Sequence, residues 1–354
     1  MRWRKYFWLI MLPVQIVALQ VLSFFPEAVE RYYSRGVYPI ISAVSRAVTD
    51  FVPFSVGDIL YGIVIGYFVY RVWKHRRKLR SRWQENLWYV LSAVSIFYFF
   101  FNVLWGINYH RVPLSEKLQI DEEYSVDELL SFTRGLVHTT NVLHQQIAGN
   151  DSLKVIMPYS QEQVFQMNTA GYRNLAERFP QFCHDGKSVK KSLISLPLTY
   201  MGFSGYLNPF TNEAQVNYLL PDYSFPPTAA HEMAHQIGYA SESEANFVGY
   251  LATISNDDPY IQYSGYCLAL RYCMAELEYR DEKLFDDVRK TINPGILENF
   301  RESREFWERY ETFIENGFHL FWDRFLKINQ QEEGMESYSR FVDLLVNYSK
   351  VEKG

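Results

Sequence analysis

Cysteine is scarce. Cys183, Cys267 and Cys273 are the only three in 354 residues, which argues against a disulfide framework. Cys267 and Cys273 lie six apart in a predicted helix and face different ways, so they do not pair. No Cys-x-x-Cys motif or Cys/His cluster offers a structural zinc site. An excess of positive charge is missing too. Lys and Arg total 35 against 40 Asp and Glu, a formal net charge of -5, and a nucleic-acid partner would favour a basic face. Internal repeats and low-complexity tracts are absent.

Lysine is also absent from three long apolar runs, at residues 6–25, 56–73 and 87–107. Each is about long enough to cross ~30 Å of hydrocarbon. Aromatics make up 17% of the chain, and Trp and Tyr gather at the ends of these runs, as interfacial anchors do. The first run follows a basic "MRWRK" but lacks a small-residue cleavage site, so it reads as a retained anchor rather than a signal peptide. Arg2, Arg4 and Lys5 precede it, and "KHRRKLRSR" lies between the second and third runs. Positive charge stays on the cytoplasmic side. Three crossings with a cytoplasmic N-terminus then leave residues 110–354 outside the cytoplasm. Between the first two runs, residues 32–55 show helical spacing broken by Pro39 and Pro53. This segment reads either as a helix along the outer membrane surface or as a helical hairpin cap.

The expected organisation is a membrane domain, 1–109, followed by a soluble domain, 110–354. The fold class is mainly α with a small β-sheet. Ser125 and Glu128 have capping-box spacing at the head of an amphipathic helix, and a second helix starts near Ser160. His138 and His144 on the first helix read as surface or packed side chains. The period then changes. "KSLISLPL" (191–198) and "EAQVNYLL" (213–220) alternate like strands, separated by a loop rich in Gly, Asn and Pro. Helical patterns fill the rest. Nothing in the pattern specifies an oligomeric state.

The chemistry lies in "AAHEMAHQIGYASESEANFVGY", residues 229–250. Residues four apart share a helix face, so His231 and His235 can hold one cation, with Glu232 beside them as general base. Zinc needs a third protein ligand and an open position. Gly238 can end the helix in a left-handed cap, and Ser241 can start a new helix that returns beside the first. Glu242 is the favoured third ligand and Glu244 the alternative. Ser241 and Glu244 also have capping-box spacing, which gives Glu244 a structural task. Asn246, four residues after Glu242, can orient a ligand from behind. Other divalent ions suit such nitrogen and oxygen donors as well.

The pattern resembles the HExxH glutamate-zincins, whose acidic ligand is followed four residues later by aspartate. Here Asn246 stands in that place, and the His235-to-Glu242 link is shorter than usual. "HEMAHQIGYASESEANFVGYLA", "GYLNPFTNEAQVN" and the three apolar runs together resemble an uncharacterised bacterial family of membrane-anchored HExxH proteins, domain of unknown function 3810. That resemblance implies a zincin-like, helix-rich soluble domain, one Zn2+ and a location in the bacterial inner membrane. The expected activity is peptide-bond hydrolysis, with a peptide or protein substrate and the lipid bilayer as partners. Tyr338, Arg340 and His319 are candidate oxyanion donors. "EAQVNYLL" reads either as an edge strand for an extended substrate or as a buried hairpin strand. The rival is a zinc-binding membrane scaffold or sensor without proteolytic activity, whose metal site would be closed. A transporter or channel fits less well, because the apolar runs carry almost no buried charge.

Overall fold

A computed structural model describes residues 3–78, 80–120, 123–328 and 338–353. The chain is mainly helical with one three-stranded sheet. It divides into two compact units. The first comprises Met1–Val112 with Asn208–Glu213, and the second Pro113–Leu207 with Ala214–Gly354.

The first unit holds α1 (Trp3–Leu22), α2 (Pro26–Thr49), α3 (Val56–His75) and α4 (Trp83–Leu104). Both α3 and α4 are long and apolar enough to cross a membrane. Of α1, the stretch Phe7–Leu22 passes that test only together with α2, from which it is bent by 98°. Among the described residues the count of such helices is therefore two, or three if the bent pair is one span. Pro26 restarts the helix after the break, at a position where its missing N–H costs nothing. The expected break at Pro39 does not occur. Residues Val29–Val37 wind as a π-helix directly before it, and widened turns relieve the clash of a proline ring with the preceding turn.

Helix α2 is two-faced. Tyr38, Ser42, Arg46 and Thr49 are buried. Ser42 Oγ donates to Asn212 Oδ1 at 2.8 Å, and Asn212 Nδ2 donates to the Tyr38 hydroxyl at 2.9 Å. Val37, Ile40, Val44, Val48 and Phe51 form an exposed apolar stripe on the other side. The Glu213 carboxylate accepts from Val56 N at 3.0 Å and Gly57 N at 2.6 Å, where the first amides of α3 need acceptors. Gln15 Nε2 donates to Ser95 Oγ at 3.0 Å and ties α1 to α4.

The second unit runs α5 (Leu114–Leu118), α6 (Val126–Ala148), α7 (Gln161–Arg178), β1 (Val189–Lys191), α8 (Ser195–Tyr200), β2 (Gly205–Asn208), β3 (Glu213–Val216), α9 (Phe225–Gln236), α10 (Glu242–Ile254), α11 (Pro259–Arg280), α12 (Glu282–Arg289), α13 (Pro294–Glu308), α14 (Phe313–Ile328) and α15 (Tyr338–Lys353). Ser125 and Ser160 both complete capping boxes, with Glu128 and Gln163. The core gathers Tyr172, Phe182, Met233, Phe247, Tyr263 and Phe341, all fully buried.

The sheet order is β1-β3-β2, with β1 parallel to β3 and Val189 opposite Ala214. Two expectations change here. Of "KSLISLPL", only Lys191 is in a strand, and Ser195–Tyr200 is helical. Ser192 Oγ accepts from Ile194 N at 3.2 Å, and Ser195 Oγ donates to Ser192 O at 2.8 Å. Such local side-chain bonds compete with a strand ladder and turn the chain into a helix. The second concerns β3, from "EAQVNYLL", which is buried and does not take the edge position. It lies in the centre of the sheet, with β1 and β2 as the edges on either side.

Candidate metal centre

The motif helix α9 opens with Pro226 and Pro227 in its first turn, where proline is pre-organised. Two side chains of α7 fix it. Asn168 Nδ2 donates to Pro226 O at 2.8 Å, and the Tyr172 hydroxyl donates to Ala230 O at 2.6 Å. Ala229, Ala230 and Ala234 are fully buried, so neighbouring helices come close. Helix α10 comes closest. A Cβ on Gly249 would lie 2.8 Å from His231 N and 3.1 Å from the Ala230 carbonyl carbon. No side chain fits at that crossing.

Gly238 ends α9 at φ +89°. Its N–H bonds His235 O at 2.9 Å, and Tyr239 N bonds Ala234 O at 3.2 Å. This left-handed cap turns the chain back, and α10 begins at Glu242. Glu242 Oε2 then lies 3.2 Å from His231 Nε2 and 3.8 Å from His235 Nε2. Ligand atoms of His231, Glu232 and His235 also fall within 4.8 Å of one another.

Each imidazole is held from behind. His231 Nδ1 lies 2.8 Å from Asn246 Oδ1, and His235 Nδ1 lies 2.6 Å from Tyr239 O. Both acceptors fix a proton on Nδ1, so each Nε2, once deprotonated, turns its lone pair towards Glu242. The next residue, Gln236, is clamped as well. His184 Nε2 donates to its Oε1 at 2.8 Å, and its Nε2 donates to Lys187 O and Ser188 O, each at 3.2 Å.

Glu232 lies beside the imidazoles. It is 3% exposed, and its Oε2 is buried without a hydrogen-bond partner. Strand β2 lies against it: a Cβ on Gly205 would be 2.7 Å from Glu232 Oε1. Burial pushes its pKa up to about 7. The His231 and His235 imidazoles oppose that shift and the Glu242 carboxylate adds to it. Burial also works against charge on Glu242, yet the two imidazoles hold its carboxyl well below the usual range. His235 shows the converse: burial disfavours its charge, and Glu242 outweighs burial and raises its pKa to about 9.

These features fit a divalent cation. Two imidazole Nε2 atoms and one ionised carboxylate converge, a donor set suited to zinc once the ion displaces the imidazole protons. Glu232, with an unpartnered buried oxygen, is the kind of group whose explanation lies in something bound beside it.

Glu244 has a different position. Its Oε1 accepts from Leu114 N at 2.6 Å, at the start of α5. The capping box expected with Ser241 is not formed, because Ser241 Oγ pairs with Ser243 Oγ at 2.9 Å. Of the three candidate oxyanion donors, His319 lies against Gly202, where a Cβ would be 2.6 Å from its Nε2. His319 on α14 pairs with Glu315 at 3.6 Å. Arg340 is exposed, and the side chain of Tyr338 lies outside the described residues. His138 is exposed and His144 is buried in α6. Cys267 and Cys273 are buried free thiols, and Cys183 is an exposed one. Gly205, Gly249 and Tyr239 escaped the sequence reading. The acceptor at Tyr239 is a backbone carbonyl, which leaves no mark on side-chain chemistry.

Fold and site together define a mainly helical protein with two or three candidate membrane helices and a His–Glu–His–Glu cluster on two crossing helices. More particularly, the chain belongs to the family described as "Protein of unknown function (DUF3810)", which matches residues 33–346. No curated protein and no solved structure matches the chain.

Proposed function

We propose that this protein is a membrane-anchored, zinc-dependent metallopeptidase that hydrolyses peptide bonds on the extracytoplasmic side of a bacterial inner membrane. One observation carries the reading. Two Nε2 atoms, each freed by a bond at Nδ1, converge on Glu242 Oε2 beside a buried Glu232. His231, His235 and Glu242 would hold the ion. When bound, zinc supplies Lewis acidity that polarises a carbonyl and acidifies water. Asn246 and Tyr239 O keep the imidazoles in the ligating tautomer. Glu232, with a pKa of about 7, is matched to taking a proton from water at Oε2 and returning it to the leaving amine nitrogen. Strand β2 at the sheet edge, with Gly205 against Glu232, offers backbone groups to an extended peptide.

The membrane anchor is supported by α3 and α4, with "KHRRKLRSR" between them on the cytoplasmic side. The exposed stripe of α2, beyond a 98° bend, suits a helix lying in the outer leaflet. The scaffold or sensor reading calls for a closed metal site. Glu244 is engaged with Leu114 N, which favours the open site of an enzyme.

The test is Glu232→Gln in the full-length protein, assayed with a peptide library. Zinc content should persist and hydrolysis should vanish. Unchanged hydrolysis would rule out this base, and no hydrolysis by zinc-loaded wild type would rule out the peptidase.

A further inference from the structure

The β2–β3 hairpin is shared by both units of the chain. Its open end lies in the second unit, while its tip, Asn208–Glu213, belongs to the first. Asn217 closes the open end: its N–H donates to Ser204 O at 2.9 Å, and its Nδ2 donates to Phe203 O at 3.2 Å. From there β2 passes Glu232 at Gly205. A Cβ on Gly205 would be 2.7 Å from Glu232 Oε1, 2.9 Å from Glu232 Cγ and 2.7 Å from Gln215 O. The backbone of β2 is therefore itself the wall against which Glu232 rests.

The tip is anchored at several points. Asn208 Oδ1 accepts from Phe210 N at 3.0 Å and from Thr211 N at 3.2 Å, and Asn212 turns the chain at φ +53°, a conformation that asparagine tolerates. Asn208, Asn212 and Glu213 are buried, whereas connecting turns usually run over the surface. The Phe210 ring packs against Tyr61 of α3 and Phe97 of α4, with centroids 6.4 and 5.0 Å away. Glu213 adds three hydrogen bonds. Its carboxylate accepts from Val56 N at 3.0 Å, Gly57 N at 2.6 Å and the Thr211 hydroxyl at 2.9 Å. Bonds from the first amides of a helix to a carboxylate are charge-assisted and aligned with the helix dipole. Gly205 is three residues from Asn208, about 10 Å along an extended strand. Strand pairing has a discrete register, so a tip held in one place holds Gly205 as well.

We propose that Glu213 is a positioning residue for Glu232. By capping α3 it fixes the hairpin tip in the first unit, and the hairpin carries that constraint along β2 to the wall behind Glu232. Proton transfer at Glu232 then depends on the unit that carries the candidate membrane helices. The consequence for hydrolysis rests on the peptidase reading, whereas the constraint on β2 rests on the hairpin alone.

The experiment compares full-length, zinc-loaded wild type, Glu213→Ala, Glu213→Gln and Ser55→Ala in lipid nanodiscs. Ser55 Oγ accepts from Asp58 N at 2.8 Å, so Ser55→Ala weakens the same helix start while leaving the Glu213 bonds in place. Backbone hydrogen exchange of residues 205–208, zinc affinity, and kcat on a peptide cleaved by wild type are measured. Glu213→Ala should speed exchange in β2 about 10- to 100-fold, the loss of a charge-assisted hydrogen bond. It should lower kcat on the order of 100-fold, the cost of a displacement near 1 Å. Zinc affinity should hold, because the ligands sit on α9 and α10. Glu213→Gln keeps an oxygen for the α3 amides and should recover part of both losses, and Ser55→Ala should cause neither. If Glu213→Ala fails to fold, Phe210→Leu keeps the hydrogen bonds of the tip, thins only its ring contacts, and should shift exchange and kcat the same way by less. Unchanged β2 exchange in the tip variants, or equal effects of Glu213→Ala and Ser55→Ala, would overturn the proposal. Faster exchange with kcat unchanged would overturn it while sparing the peptidase. Faster exchange in a protein whose wild type cleaves no peptide would remove the peptidase and uphold the constraint on β2.

Discussion

Gly249 and Gly135 make a matched pair for testing the helix crossing that builds the metal centre. Both lie inside helices, α10 and α6. Replacing glycine with alanine in a helix interior is worth about 1 kcal/mol of stability from backbone entropy alone. At Gly135 a Cβ meets nothing within 4 Å, so Gly135→Ala should keep that gain. At Gly249 the Cβ would sit 2.8 Å from His231 N, while ordinary contact begins at 3.4 Å. The two helices must therefore part by roughly half an ångström, and overpacking of this kind costs about 1–3 kcal/mol. Net of the helix term, Gly249→Ala should lose about 0–2 kcal/mol. Thermal unfolding of the full-length protein reads the difference. At about 2–4 °C per kcal/mol for a unit of this size, the two variants should move in opposite directions or differ by several degrees. The same displacement moves Glu242, at the start of α10, away from His231. Zinc affinity should therefore fall in Gly249→Ala and stay unchanged in Gly135→Ala. Equal melting shifts and equal zinc affinities for the two variants would refute the close crossing.

Two further outcomes follow from the same geometry. Asn246→Ala removes the acceptor for His231 Nδ1, and loss of such a partner costs about 10- to 100-fold in metal affinity; competition with a chromogenic chelator measures it, with Asn246→Asp expected to retain tight binding. His144 gives a pH dependence away from the metal. Burial lowers its pKa, with Leu153 O and Asp151 opposing, and its Nδ1 accepts from Asn293 Nδ2 at 3.2 Å. The unfolded chain then binds the proton more readily than the fold. Stability from the neutral ring is complete above the ordinary value of about 6.5 and is lost as pH falls below it towards the folded pKa. Melting temperature should drop between pH 7.5 and 5.5 in wild type and less in His144→Gln; equal slopes would contradict this.

Much of the candidate site was legible in the sequence because its logic is local. His231 and His235 share a face by spacing alone, and Gly238 followed by Ser241 announces a left-handed cap and a new helix. The capping boxes at Ser125 and Ser160 are local in the same way. What escaped depends on distant partners. Glu244 accepts from Leu114 N, 130 residues away, so its role could not be told from its neighbour Ser241. Gly249 and Gly205 matter because another backbone or side chain passes against them, and spacing within one helix or strand carries no trace of that. Alternation in "KSLISLPL" promised a strand, but serine side chains captured the backbone first. The position of β3 at the sheet centre depends on strand pairing, which a single strand's pattern does not encode.

The central claim is that His231, His235 and Glu242 hold one divalent cation. Its most direct test is the metal content of purified full-length protein, measured by elemental analysis for wild type, Glu242→Ala and Glu244→Ala. The account expects about one zinc per chain in wild type, loss in Glu242→Ala and retention in Glu244→Ala. No bound metal in wild type, or loss in Glu244→Ala with retention in Glu242→Ala, would contradict it.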